Sequence, residues 1–349
     1  MILFGAKANP HKNPVNFFAP SPLEKNLKTD YILDFKMTDK KIVIIFSILI
    51  LGSLAANLIF AAVLVMLLKT GSPRTLFQDD LFSQNLILSS DLVEPQKARP
   101  DSSGLEAEIL KILGDEKEKY AVYLKDLASD FEVKVNAEKN FYPASIYKVP
   151  LAIIILQEVD AGTLSLDEKQ MIKPEDFAYS HDLLASRIGL EYRLDELLTY
   201  LIVYSDNTAG RVLERIVGGD QKVANKIDQL GLANFSRNPQ SVDALSVFKV
   251  FEGIYNQSYL SNSSNLFLLH LLKNTCQEHQ DRLAESLPQG VEVAHKIGTL
   301  ETVYQDAGII YGKSGDYILV VLNRDIKIDQ AREKLQQISL VTYNFLNPQ

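Results

Sequence analysis

A chain of 349 residues, 46% hydrophobic and 23% charged, carries enough apolar material for a sizeable core and is not a disordered polymer. A formal net charge of -8, with no basic run interleaved with aromatics, argues against a nucleic-acid partner. The lone cysteine, Cys276, excludes an internal disulfide, and the histidines at 11, 181, 270, 279 and 295 form no HExxH pair, so neither zinc chemistry nor another cofactor is expected.

Residues 1–41 are polar, with Pro10, Pro14, Pro20 and Pro22 interrupting any periodicity, and read as a disordered tail. Ile42 to Leu68 then runs without a charge, longer than the roughly 20 apolar residues that span a bilayer, and predicts a transmembrane helix. The rival is a cleavable signal starting at Met37, with Lys40 and Lys41 as its basic segment; the length of the run and the lack of a clear cleavage site favour a retained anchor. Lys25, Lys28, Lys36, Lys40 and Lys41 precede the span, whereas Lys69 and Arg74 follow it, which puts the N-terminus inside and the bulk of the chain outside a cytoplasmic membrane. Residues 69–104, with Pro73, Pro95 and Pro100, read as a stalk.

A globular domain is expected over 105–349. Leu105, Ile109, Leu110 and Leu113 recur at helical spacing before Gly114, after which Tyr120 to Leu127 and Phe131 to Val135 alternate as two strands. From Ser145 to about 280 the pattern is mainly helical, with runs at Leu194 to Val203, Ala209 to Ile216 and Val223 to Leu230. Strands return at Val291 to Leu300, Gln305 to Tyr311 and Tyr317 to Leu322, and a helix from about Asp329 closes the chain. Pairing of the terminal segments in one antiparallel sheet, around an inserted helical block, gives an α/β sandwich with a cleft at the join. Cys276 reads as a small apolar core residue.

Ser145-Ile146-Tyr147-Lys148 opens the helical block, and a serine and a lysine three apart share one face of a turn. Unpaired N–H groups at a helix start suit a developing oxyanion, so one turn can supply nucleophile, base and oxyanion donor. Ser246-Val247-Phe248-Lys249 has the same spacing, but reads as a solvated helix face.

With Ser205-Asp206-Asn207 and Lys296-Ile297-Gly298-Thr299, the first turn completes the three ordered motifs of the penicillin-recognising serine enzymes, and the domain most resembles the class A β-lactamases. The likeness extends through Val159 to Glu168, Ser205 to Ala209 and Ala294 to Ile309. It implies Ser145 as the acylated nucleophile, Lys148 as its base, Ser205 as a proton relay to the leaving nitrogen, and Asn207 as the holder of Lys148 and the substrate amide. Lys296 is implied as the source of positive potential for a substrate carboxylate, with Gly298 and Thr299 lining the substrate strand and the N–H groups of Ser145 and Thr299 forming the oxyanion hole. Lys313-Ser314-Gly315 spells the third motif more literally, but falls in a turn between strands where the family's lysine lies in a strand.

Two departures qualify the resemblance. Ile297 stands where the family has a hydroxyl residue that helps bind the substrate carboxylate, a task that leaves Thr299 as the substitute. The family's deacylating glutamate, carried on a loop between the second and third motifs, has no counterpart in the shorter segment Leu230 to Asp243, where Asp243 is the one carboxylate and is expected to cap the next helix. Glu214 falls too early in the chain for that role. The expected partners are a β-lactam or a cell-wall peptide, and the lipid bilayer through Ile42 to Leu68. A D-alanyl-D-alanine peptidase and a catalytically silent cell-wall-binding domain are the alternatives to a β-lactamase.

Overall fold

The computed structural model describes residues 101–348 apart from 233, 238 and 239. The expected tail, membrane span and nearly all of the stalk lie outside the described residues; among those described, no helix is long and apolar enough to cross a membrane.

Helix α1 (Ser102–Leu113) begins three residues before the expected domain start, because Asp101 caps it by accepting from the Ser103 N–H. It buries Leu105, Ile109 and Leu113 and ends at Gly114, whose φ of 58° is the left-handed conformation that stops a helix at little cost. Strands β1 (Tyr120–Asp126) and β2 (Glu132–Val135) follow. Beyond the inserted block come β7 (Glu292–Leu300), β8 (Val303–Tyr311), β9 (Tyr317–Asn323) and helix α8 (Ile328–Leu346). These five strands form one sheet in the order β2-β1-β9-β8-β7, antiparallel throughout. The two ends of the chain meet where β1 pairs with β9, Tyr120 opposite Asn323 and Asp126 opposite Tyr317.

Both faces of the sheet are covered, and the strand residues divide between them with a period of two. Ala121 and Tyr123 of β1, with Ile318, Val320 and Leu322 of β9, pack under the helical block. Tyr120, Val122 and Leu124, with Tyr317, Leu319 and Val321, pack under α1 and α8. This explains why β9 reads as an unbroken apolar run: neither face meets water.

The inserted block holds α2 (Lys148–Asp160), α3 (Leu194–Ile202), α4 (Asn207–Ile216), α5 (Asp220–Gln229), α6 (Ala244–Tyr255) and α7 (Asn262–Lys273). Two short hairpins interrupt it, β3 (Lys169–Met171) with β4 (Glu191–Arg193) and β5 (Ser236–Arg237) with β6 (Gln240–Ser241). They are too short to leave a period-two signature, so they escape the sequence reading. Helix α2 is the axis of the block, with every residue from Lys148 to Leu156 buried, as an all-round apolar helix requires. Pro150 is its third residue, where the N–H is unpaired in any helix, so the ring costs no hydrogen bond. Cys276 is half-buried and packs against this core.

Candidate active site

Ser145 does not sit in the α-helix itself. Residues Ala144–Tyr147 form a 3-10 turn that feeds directly into α2 at Lys148. Ala144, entering that turn, has φ of 46°, an unfavourable conformation for a residue with a Cβ and one that clusters at functional sites. The turn is held from the sheet: Gln305 on β8 donates from Nε2 to the carbonyls of Tyr142 (2.9 Å) and Pro143 (2.8 Å). Gly298 on β7 lets the strand close on the same turn, since a Cβ there would lie 3.0 Å from the Pro143 carbonyl oxygen and 2.9 Å from the Gln305 side chain.

Lys148 is 3% exposed and reaches the second motif. Its Nζ donates to the Ser205 carbonyl, to Ser205 Oγ at 3.2 Å and to Asn207 Oδ1 at 2.8 Å. Ser205 meets it with φ of 57°, a second strained backbone in the site. Burial pushes the amine down to about 8, against the opposing pull of Asp182 and Asp206. Asp206 caps α4 by accepting from the Ala209 N–H at 2.7 Å, and it also accepts from the Leu184 N–H at 3.0 Å. Burial raises its carboxyl.

Asp182 is the residue here that no motif announces. It accepts from Asn207 Nδ2 at 2.9 Å, and from the N–H and hydroxyl of Thr208 at 3.1 Å each. Because one end of the Asn207 amide donates to a carboxylate and the other accepts from an ammonium, its orientation is fixed by chemistry. Nothing in the spacing of Tyr179-Ser180-His181-Asp182 signals this contact, which closes over 25 residues.

Lys296, in the edge strand β7, is completely buried, so it is no solvated edge lysine. Its Nζ has no hydrogen-bond partner among the described residues, and burial, then Lys148 and Arg282, hold the amine well below its ordinary range. Arg282 is a second unannounced residue. Its Nη1 donates to the carbonyls of Gly298 (3.0 Å) and Gln305 (2.7 Å), and its Nη2 donates to Thr299 Oγ1 at 2.5 Å. The guanidinium lies 3.7 Å from the Tyr304 ring centroid, so one planar fork pins both substrate-side residues of β7. Behind Lys296, buried His295 bridges Asp306 at 2.8 Å and Thr275 Oγ1 at 3.0 Å.

Two cavities meet at Ser145, Asn207, His181 and Thr299. The larger encloses about 1120 Å³ and extends past Tyr142, Phe177 and Tyr179 to Glu214 and Asp228; the smaller encloses about 220 Å³ between Ser205, Ile297 and His279. The structure thus brings Ser145, Lys148, Ser205, Asn207 and Thr299 to one cleft wall, with Gly298 against the serine turn and Lys296 buried behind it.

The other sequence expectations divide. Asp243 does cap α6, accepting from the Ser246 N–H at 2.6 Å, and also takes Asn234 Nδ2 at 2.7 Å. Lys313-Ser314-Gly315 falls in the turn after β8, at the end of the sheet where Tyr311 pairs Glu292, away from Thr299 and Leu300 at the cleft. Ser246 needs correction: Lys249 is exposed, but Ser246 is buried in the first turn of α6, so the pair shares no solvated face. Glu214 lies nearer the cleft than its place in the chain suggests. Although early in the chain, it lies on the α4 face that carries Asn207 and Gly210, lines the larger cavity, and accepts from the Tyr147 hydroxyl.

Comparison with known proteins agrees with this geometry. The sequence family described as the beta-lactamase enzyme family matches residues 104–346. Beta-lactamase VEB-1 of Pseudomonas aeruginosa is 25% identical over 241 residues, covering 61% of this chain and 80% of that one. The structure of a beta-lactamase from Chitinophaga pinensis superposes with a TM-score of 0.65 at 27% identity, covering 70% of this chain and all of that one. TLA-3 extended-spectrum beta-lactamase gives 0.66 at 27%, covering 70% and 99%. The three motifs in one cleft and the match over the whole described domain place this chain in the beta-lactamase enzyme family, as a serine hydrolase acting on amide bonds.

Proposed function

We propose that Ser145 is acylated by β-lactams and that the acyl-enzyme is released slowly, so that the protein behaves as a penicillin-binding hydrolase. The observation that carries this reading is the set of three contacts from Lys148 to Ser205 and Asn207. With its amine at about 8, a usable fraction is neutral near pH 7 and can take the Ser145 proton as Oγ attacks the carbonyl. Ser205, within reach of Lys148, passes a proton to the nitrogen that leaves. Lys296, Arg282 and Thr299 would supply the donor-rich wall for the substrate carboxylate, and the N–H groups of Ser145 and Thr299 are those that the family resemblance assigns to the developing oxyanion.

For deacylation, two carboxylates among the described residues that the sequence brings into question are already engaged. Asp243, the one carboxylate of the segment 230–243, is committed to the α6 cap and to Asn234. Glu214 is engaged by Tyr147 and lies 3.6 Å from Arg211 Nη1. Without a base aimed at water, the ester persists. The same feature favours a second reading, a D-alanyl-D-alanine peptidase acting on cell-wall peptides, and the expected anchor at Ile42 to Leu68 would hold either activity outside the membrane.

A mass-spectrometric time course with benzylpenicillin tests the proposal. A long-lived adduct on Ser145, absent from Ser145→Ala and intact in Ser246→Ala, is the expected result. Rapid loss of adduct with product release would refute slow deacylation, and no adduct would refute the enzymatic reading.

A further inference from the structure

The smaller cavity contains a group that acylation does not use. His279 ends the short 3-10 turn Gln277–His279, between α7 and β7, and lines the cavity with Ser145, Ser205, Ile297 and Thr299. Its Nδ1 lies 3.2 Å from the Val203 carbonyl oxygen. A carbonyl only accepts, so Nδ1 carries the hydrogen, and Nε2 of the neutral ring presents a lone pair. On the wall opposite, Ile297 is buried and apolar where a hydroxyl would donate, which leaves one donor fewer for an anion there. Thr299 is the remaining hydroxyl on that strand face, and its Oγ1 already accepts from Arg282.

The charges around the ring are mixed. Lys296 and His295 face it from β7 and Arg282 from the segment before that strand, while Asp182 and Asp206 line the same cavity from the helical block with His181 and Tyr204. Glu278 and the Cys276 thiol sit on its own turn. Burial, then Lys296 and Arg282, hold the imidazole down to about 4, so it is neutral in the empty site.

We propose that His279 is a specificity-determining residue that reads a carboxylate on the leaving-group side of the substrate, binding it through Nε2 and taking up one proton as it does so. The inference rests on the acylation reading above. A carboxylate beside the ring offsets the repulsion from Lys296 and Arg282 and favours the imidazolium. One proton enters from solvent on binding and returns when the carboxylate leaves the cavity; no substrate bond is made or broken at the ring. Binding therefore raises the pKa of His279, and by linkage affinity improves as pH falls from the bound value toward about 4, by at most about tenfold per pH unit, and levels off below. A ligand without the carboxylate takes up no proton and meets a lone pair instead.

The test is the benzylpenicillin concentration that gives the half-maximal rate of Ser145 acylation in the full chain, followed by quenched-flow mass spectrometry from about pH 5 to about pH 7. Wild type is expected to need about tenfold less penicillin at the acid end. His279→Asn, whose Nδ2 can still donate to Val203, should show no such change, and benzylpenicillin methyl ester should show none with wild type, which keeps the test decisive should the variant fold poorly. A flat profile in wild type, or the same slope in His279→Asn or with the ester, overturns the inference while acylation itself stands. Failure of Ser145 to be acylated at any pH overturns the acylation reading and the inference with it.

Discussion

Replacing Lys148 by arginine tests the base directly. At pH 7 an amine at about 8 is about 9% neutral, whereas at its ordinary 10.5 it would be about 0.03% neutral, so burial multiplies the free base about 300-fold. Arginine keeps the charge and the donors that face Ser205 and Asn207, but cannot give up its proton. Acylation at saturating penicillin should then fall by about 10² to 10⁴ in Lys148→Arg, the usual worth of a positioned base. The wild-type rate should climb about tenfold per pH unit below pH 7 and level off above about 8, because the folded-state pKa is depressed and the neutral form accumulates as pH passes through it. The assay is adduct formation on Ser145 by rapid quench and mass spectrometry across that range. A flat wild-type profile, a break near the ordinary lysine value, or an arginine variant as fast as wild type would each refute the assignment.

Three further outcomes are expected. Gly298→Ala puts a Cβ 3.0 Å from the Pro143 carbonyl oxygen, so β7 must back away from the serine turn; acylation should slow by about 10² while circular dichroism shows the fold retained. Asp243→Ala removes the α6 cap and the tie to Asn234, costing about 1–2 kcal/mol and lowering Tm by a few degrees, with adduct lifetime unchanged; a longer lifetime would assign Asp243 to deacylation after all. Asp306→Asn leaves the buried His295 Nδ1 and the N–H groups of Leu283 and Ala307 one acceptor short, and thermal denaturation should register a loss of about 1–3 kcal/mol.

The sheet was legible because its strands are long enough for alternation to register and because Gly114 and Asp101 mark the ends of α1. The motif residues were legible because their chemistry demands particular side chains at short spacing within one turn. What escaped was everything set by approach between distant segments. Asp182 orients Asn207 across 25 residues, Gln305 steadies the serine turn across 162, and Arg282 grips Thr299 from a loop with no pattern of its own. The nearness of Glu214 to the cleft escaped for the same reason: its position in the chain is early, yet two turns of α4 carry it along the face that starts at Asn207. The start of α2 shows the limit on a smaller scale. Helical periodicity cannot separate a 3-10 turn from an α-helix over four residues; the bond from the Ile146 N–H to the Pro143 carbonyl shows that the serine is held in a turn rather than in the helix.

Burial makes these two lysines act as one electrostatic unit. Both are nearly or wholly removed from water, and the charge of Lys148 is among the causes that hold Lys296 down. The two differ in their polar company. Lys148 has three oxygens to hold its ammonium form, whereas Lys296 Nζ has no hydrogen-bond partner among the described residues. An unpartnered buried amine is costly as a cation, so Lys296 gains most from an arriving anion. A substrate carboxylate favours the ammonium form of Lys296, and that charge in turn disfavours the ammonium form of Lys148. Carboxylate recognition on β7 and base strength on α2 are then coupled through repulsion across the cleft, without a moving part. A neutral ligand lacks this lever, since it brings no charge to offset the burial of Lys296.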